Sequence, residues 1–169
     1  MPIVTKYRLL AIIHIIVILI TSCDKSPKVY RDRVTLIDVL PVYVAPAHGD
    51  KLIDDCEMGE IALCNNISDV ERAASTEFIE AFPEYRQIDF DRYTLLVRTD
   101  WLAFEVKNRQ ISLWKDMSDG SLHLNVAYEI GAALDSLWHE RISVVIDKVP
   151  SSTIVSYSYS VSSGSNDTL

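Results

Sequence analysis

The chain has 169 residues, with 24 acidic against 16 basic side chains and a formal charge of −8. Neutralising a phosphate backbone needs clustered Lys and Arg, and no basic stripe runs through this sequence, so nucleic acid is excluded as a partner. The five glycines are scattered, no two closer than ten residues, which leaves no G-x-G-x-x-G or G-x-x-x-x-G-K loop to cradle a nucleotide phosphate.

Lys6 and Arg8 precede an apolar run from Leu9 to Ile20, LLAIIHIIVILI. Twelve residues fall well short of the roughly 20 that a helix needs to cross a bilayer core. A positive start, a short apolar middle and the small residues Thr21 and Ser22 make the layout of a secretory signal peptide. Ile20-Thr21-Ser22-Cys23 resembles the lipobox of bacterial lipoproteins, with an aliphatic residue three before the cysteine and small residues beside it.

That resemblance implies cleavage between Ser22 and Cys23, a thioether-linked lipid on Cys23 and acylation of the newly freed amino group. Each buried acyl methylene contributes about 0.8 kcal/mol, so one chain holds only marginally and several on one residue hold firmly. Asp24-Lys25 also looks like the start of many Gram-negative lipoproteins, which implies anchorage in the envelope at the inner or the outer membrane. Loss of residues 1–22 removes Lys6 and Arg8, makes the chain more acidic, and leaves a length typical of one domain.

Two further cysteines, Cys56 and Cys64, are separated by seven residues. In an oxidising compartment such an isolated pair reads as a disulfide. Closing so short a loop would stabilise by about 2.5 kcal/mol on the chain-entropy model. Free thiols are the alternative. A redox or metal pair lacks the C-x-x-C spacing or a neighbouring histidine.

Residues 24–32 are polar with a proline and read as a tether, residues 23–32 in all with the cysteine. Val34 to Ala45 is rich in β-branched residues and predicts a strand, interrupted by Pro41. Pro46 to Ile67 reads as irregular. One helix is predicted next: Ser68 and Glu71 match a capping box, and Val70, Ala74, Phe78 and Phe82 recur at helical spacing up to Pro83.

Past that point the period changes. Strands are predicted at Tyr93–Val97, Trp101–Val106 and Ile111–Trp114, followed by the turn Ser118-Asp119-Gly120-Ser121. Leu122, Leu124, Val126 and Tyr128 alternate with polar neighbours, as a half-buried strand requires. Arg141–Val149 and Thr153–Val161 complete the set, and residues 162–169 read as a loose tail. The expected fold class is α+β, mostly β: a single domain at 33–161, an antiparallel sandwich or partly open barrel with one helix packed on it.

Candidate chemistry is sparse. His48, His123 and His139 have no partner at a readable spacing and are expected to face solvent. Asp50, Asp54, Asp55, Glu57 and Glu60 lack the spacing of a calcium loop and read as a solvated acidic stretch. Asp89 and Asp91 are expected to cap a turn. Trp101, Trp114 and Trp138 read as core or sheet-edge residues, with stacking on sugars or contact with a partner as the functional alternative. No Gly-x-Ser-x-Gly elbow is present. No catalytic residue, metal site or cofactor is predicted.

The pieces IDFDRYTLLV (88–97), SLHLNV (121–126) and ISVVIDKVP (142–150) resemble small β domains of secreted bacterial lipoproteins. They also resemble the accessory small-subunit domain that stabilises certain secreted bacterial protease complexes. There a Gly-rich stretch ending in Gly-Tyr follows the first strand. Here the place reads Arg98-Thr99-Asp100-Trp101-Leu102-Ala103-Phe104, with no glycine, so no functional residue carries over. The leading functional expectation is a membrane-anchored, non-enzymatic binding or accessory module with an envelope protein or glycan as partner. The alternative is an envelope enzyme or small-ligand carrier whose site is assembled from residues distant in sequence.

Overall fold

Two long strands carry the domain, β5 (Tyr93–Asp116) and β6 (Leu122–Asp147), paired antiparallel as one hairpin. They belong to a computed structural model that describes residues 30–46, 52 and 59–163. Ser22, Cys23, His48, Asp50, Asp54, Asp55, Cys56 and Glu57 lie outside the described residues.

The hairpin turn is where the Asp-Gly signal places it. Asp116 Oδ1 accepts from the Ser118 N–H at 2.8 Å and its hydroxyl at 2.6 Å, and Asp119 Oδ1 accepts from the Ser121 N–H at 2.8 Å. These donors hold both carboxyls below their ordinary values. Gly120 takes φ +76°, which a side chain would resist.

The separate strands expected within 93–114 and within 122–149 are in fact continuous. Lys107, Asn108 and Gln110 read as a break, but they are exposed positions on a strand. The ladder absorbs the disturbance by register shifts between Leu102 and Asn108, the irregularity that lets a sheet bend. The bent hairpin folds over itself: Leu96, Ile142, Val144 and Ile146 from one half share a core with Leu113, Leu122, Leu124 and Val126 from the other. The result is a sandwich made from one open sheet, not closed into a barrel.

Short strands line its edges. β1 (Arg31–Val34) pairs with the second half of β5, and β4 (Ile61–Cys64) with the first half. β2 (Asp38–Val39) and β3 (Tyr43–Pro46) pair with the second half of β6. The single strand expected over 34–45 is thus three pieces, because the chain leaves β5 to pair with β6, and Pro41 falls between two of them. β4 arises inside the stretch read as irregular. β7 (Val155–Ser163) pairs with the first half of β6 and runs parallel to it, the one departure from antiparallel pairing among the described residues.

The other face of the first half is covered by α1 (Ile67–Ala74), α2 (Thr76–Ala81) and a 3-10 turn (Pro83–Gln87). Val70, Ala74, Phe78, Ile79 and Tyr85 pack there on Cys64, Leu95, Val97 and Val145. The stripe of Val70, Ala74 and Phe78 is buried as its spacing predicts, but the start and continuity of the helix differ. Asn66, not Ser68, is the cap: its Oδ1 accepts from the Asp69 N–H at 2.9 Å, and its Nδ2 donates to Asp69 Oδ2 at 2.9 Å. Ser75 then breaks the helix in two with φ 63° and ψ 156°, and its hydroxyl accepts from the Phe78 N–H at 3.3 Å to open α2.

Candidate binding surface

Side chains at even positions of the first half of β5 and the second half of β6 face the folded-over core. Asp100 and Glu140 are directly opposite each other on that face and both are buried. Each has its own guanidinium. Arg98 Nε donates to Asp100 Oδ1 at 2.7 Å, while Arg109 meets Glu140 with Nε at 2.8 Å and Nη2 at 3.1 Å. Of the two Arg109 contacts, only that of Nη2 to Glu140 Oε2 is a hydrogen bond; Arg109 Nε and Glu140 Oε1 are close as charges but form none.

The second oxygen of Asp100 accepts from two phenols, Tyr128 at 3.1 Å and Tyr157. Burial pushes both phenols up, and the neighbouring Asp100 pushes them further, so they remain donors at neutral pH. The Arg98 guanidinium lies 4.1 Å over the Tyr157 ring. One carboxylate therefore ties together β5, β6 and β7, and both of its oxygens are engaged in doing so.

A second buried cation stands on the helix side. Arg141 has no exposed surface, donates to Thr99 Oγ1 at 3.4 Å and to the Ala74 carbonyl at 3.5 Å, and lies 4.1 Å over the Phe78 ring. The Ala74 carbonyl closes α1, so the negative end of the helix and an aromatic face offset this charge.

A cleft of about 190 Å³ opens beside Thr99, between β4 and α1, lined by Ala62, Cys64, Asp69, Arg72 and Val97 among others. Asp69 accepts from the Asn65 N–H at 2.9 Å and pairs with Arg72 at 2.6 Å, and burial, with Asp69 beside it, pushes the Cys64 thiol up to about 12. Cys64 forms no disulfide among the described residues.

The histidines are not brought together. His123 is half-buried on β6, beside the hydroxyls of Ser121 and Ser156. His139, expected to face solvent, is fully buried edge-on to Trp101 at 4.5 Å, because it sits on the face of β6 that turns toward the helix layer. No group of three metal-ligating side chains occurs among the described residues. Asp89 closes the turn before β5 as expected, accepting from the Asp91 N–H at 3.1 Å. Glu60 is exposed at the cleft. Trp101 is half-exposed, and Trp114 and Trp138 are partly buried on the sheet.

Three exposed apolar side chains gather at one edge: Ile154 at 71 %, Tyr159 at 63 % and Val161 at 43 %. All belong to β7 or lead into it, and among the described residues no strand pairs with its far side. Sequence reading located this strand and its alternation but missed the ionic cluster. The signal for the latter was charge inside apolar surroundings, Arg98 and Asp100 two apart and Glu140-Arg141 ahead of Ile-Ser-Val-Val. No protein-family model, curated protein or solved structure matches this chain.

Proposed function

We propose that the chain is a lipid-anchored protein of the Gram-negative cell envelope whose β domain is a non-enzymatic binding or accessory module. The observation that carries the anchor is the motif Ile20-Thr21-Ser22-Cys23 closing a short apolar run behind Lys6 and Arg8. In favour of binding, the β7 edge offers unpaired backbone and exposed aromatic surface, the combination used in β-strand addition. The buried carboxylates and phenols, by contrast, hold the domain together.

The first test is the intact mass of the membrane-extracted protein, wild type beside Cys23→Ala. A mature chain beginning at Cys23 and carrying acyl mass that the variant lacks supports the anchor. A retained apolar run, or cleavage without lipid, overturns it. Cross-linking in intact cells tests the binding half, and failure to capture any reproducible partner, a second copy included, counts against it. The cleft beside Thr99 is the observation favouring a small-ligand carrier instead. Native mass spectrometry of protein taken from cells would reveal a retained ligand there.

A further inference from the structure

We propose that the partner of the β7 edge is β7 of a second copy, paired antiparallel about a two-fold axis at Ser158, so that the sheet continues across a symmetric dimer. This deepens the reading of β7 as a contact surface and does not depend on the lipid anchor.

The first argument is the sequence of the strand. Val155–Val161 reads VSYSYSV, the same in either direction. Two antiparallel copies centred on Ser158 therefore place Val155 opposite Val161, Tyr157 opposite Tyr159, and Ser156 opposite Ser160, like against like at every position. An isologous interface demands this self-complementarity, and cross-strand aromatic and β-branched pairs are the stabilising ones.

The second argument is the direction of the free backbone groups. The Leu122 N–H donates to the Ile154 carbonyl at 2.8 Å, and Leu122 is in register with Val155. In a parallel ladder this turns the backbone groups of the even residues of β7 toward β6. Those of Val155, Tyr157, Tyr159 and Val161 are left facing outward. The palindromic register pairs these odd residues with one another, so every outward N–H and C=O finds a partner. Backbone geometry and side-chain matching select the same alignment.

Charge supplies the third argument. No Asp, Glu, Lys or Arg lies between Lys148 and Asp167, so nothing on the strand repels a copy of itself. The other edges are short or blunted: β1 is four residues with three charges, β2 has two residues, β3 ends in proline, and β4 has four residues and lies against α1. β7 is nine residues long and uncharged.

The test is disulfide trapping in the full chain isolated from cells, under mild oxidation, with wild type alongside to account for the native cysteines. At the axis the two Ser158 residues form a non-hydrogen-bonded pair with Cα atoms about 4.5 Å apart, within reach of a disulfide. The two Ser156 residues stand about 13 Å apart at 3.3 Å per residue. Ser158 is exposed and receives only the Asn125 amide, at 3.0 Å to its hydroxyl, so its replacement leaves the fold intact.

Ser158→Cys should give a covalent species of twice the monomer mass, several-fold above wild type. Ser156→Cys and Ser160→Cys should each stay at the wild-type level alone and cross-link when co-expressed. Adding Tyr159→Lys to Ser158→Cys should return the yield to background. Equal trapping at all three positions, or Ser158→Cys at the wild-type level, overturns the dimer. Trapping of a different protein by the Ser158→Cys variant ends the self-pairing while leaving β7 a contact surface; no trapping of any protein from this strand removes both readings.

Discussion

Asp100 and Glu140 face each other directly across the β5–β6 ladder, both buried, and each is held by a different arginine. Like charges in that position repel, and the two carboxyls divide the strain unequally. Asp100 has a guanidinium and two phenols, whereas Glu140 has Arg109 alone. Burial raises the Glu140 carboxyl above its ordinary value; Arg109 lowers it and Asp100 raises it again. A raised carboxyl contributes stability that is full below its unfolded value, near 4.5, and is lost as pH rises through the folded value. Glu140→Gln removes that titration. Urea unfolding from acid to neutral pH should show the variant gaining on the wild type as pH rises through this window. Parallel stability curves would show that Glu140 titrates normally.

Arg98 should be the most sensitive position of the cluster. Its side chain is only 14 % exposed, and it compensates a carboxylate that is 9 % exposed. Removing one partner of a buried pair strands the other, at a cost of about 3 kcal/mol or more. Arg98→Met keeps much of the volume but leaves Asp100 with only its phenol donors. Thermal unfolding should fall sharply. Hydrogen exchange should show β7 loosening first, because Tyr157 reaches the rest of the domain through Asp100. A loss of protection spread evenly over the hairpin would mean that β7 is held by its ladder with β6 alone.

What the sequence conveyed depended on the range of the interaction responsible. The Asp119-Gly120 turn and the apolar stripe of Val70, Ala74 and Phe78 rest on neighbours a few residues away, and both were legible. The continuity of β5 was not, because Lys107 to Gln110 look like a loop to any reading that ignores the partner strand 20 residues on. The direction of β7 was equally hidden: alternation fixes which faces a strand presents, not which neighbour it joins. The ionic cluster joins positions as distant as Arg98 and Tyr157, and its members looked like ordinary surface charges until the hairpin folded over them. The palindrome of β7 was in plain view, yet it acquires meaning only once that edge is known to be free.

Ser75 holds φ 63° and ψ 156°, backbone territory that is nearly glycine's own. A side chain there costs about 1–3 kcal/mol. Its hydroxyl offsets part of this by capping α2, but glycine at a cap loses only a few tenths of a kcal/mol relative to serine. Ser75→Gly should therefore stabilise the domain by about 1 kcal/mol, and Ser75→Val, which forfeits the cap and worsens the strain, should destabilise it. Chemical denaturation of the two variants decides the point; a destabilised Ser75→Gly would show that the hydroxyl matters more than the backbone.

Cys64 should be chemically silent in the folded protein. The thiolate is the reactive form, and burial on the floor of the helix layer pushes this thiol up to about 12, with Asp69 raising it and Arg72 partly opposing. Iodoacetamide at about pH 8 should leave Cys64 unmodified in the native state while alkylating a free reference thiol of ordinary pKa. Denaturant should expose it fully. Peptide mapping separates the outcomes. Modification in the native protein would mean that the cleft between β4 and α1 opens widely enough to hydrate its floor. Modification that requires a reductant as well as denaturant would place the sulfur in a bond to Cys56, closing the seven-residue loop between them and fixing the end of β4 covalently.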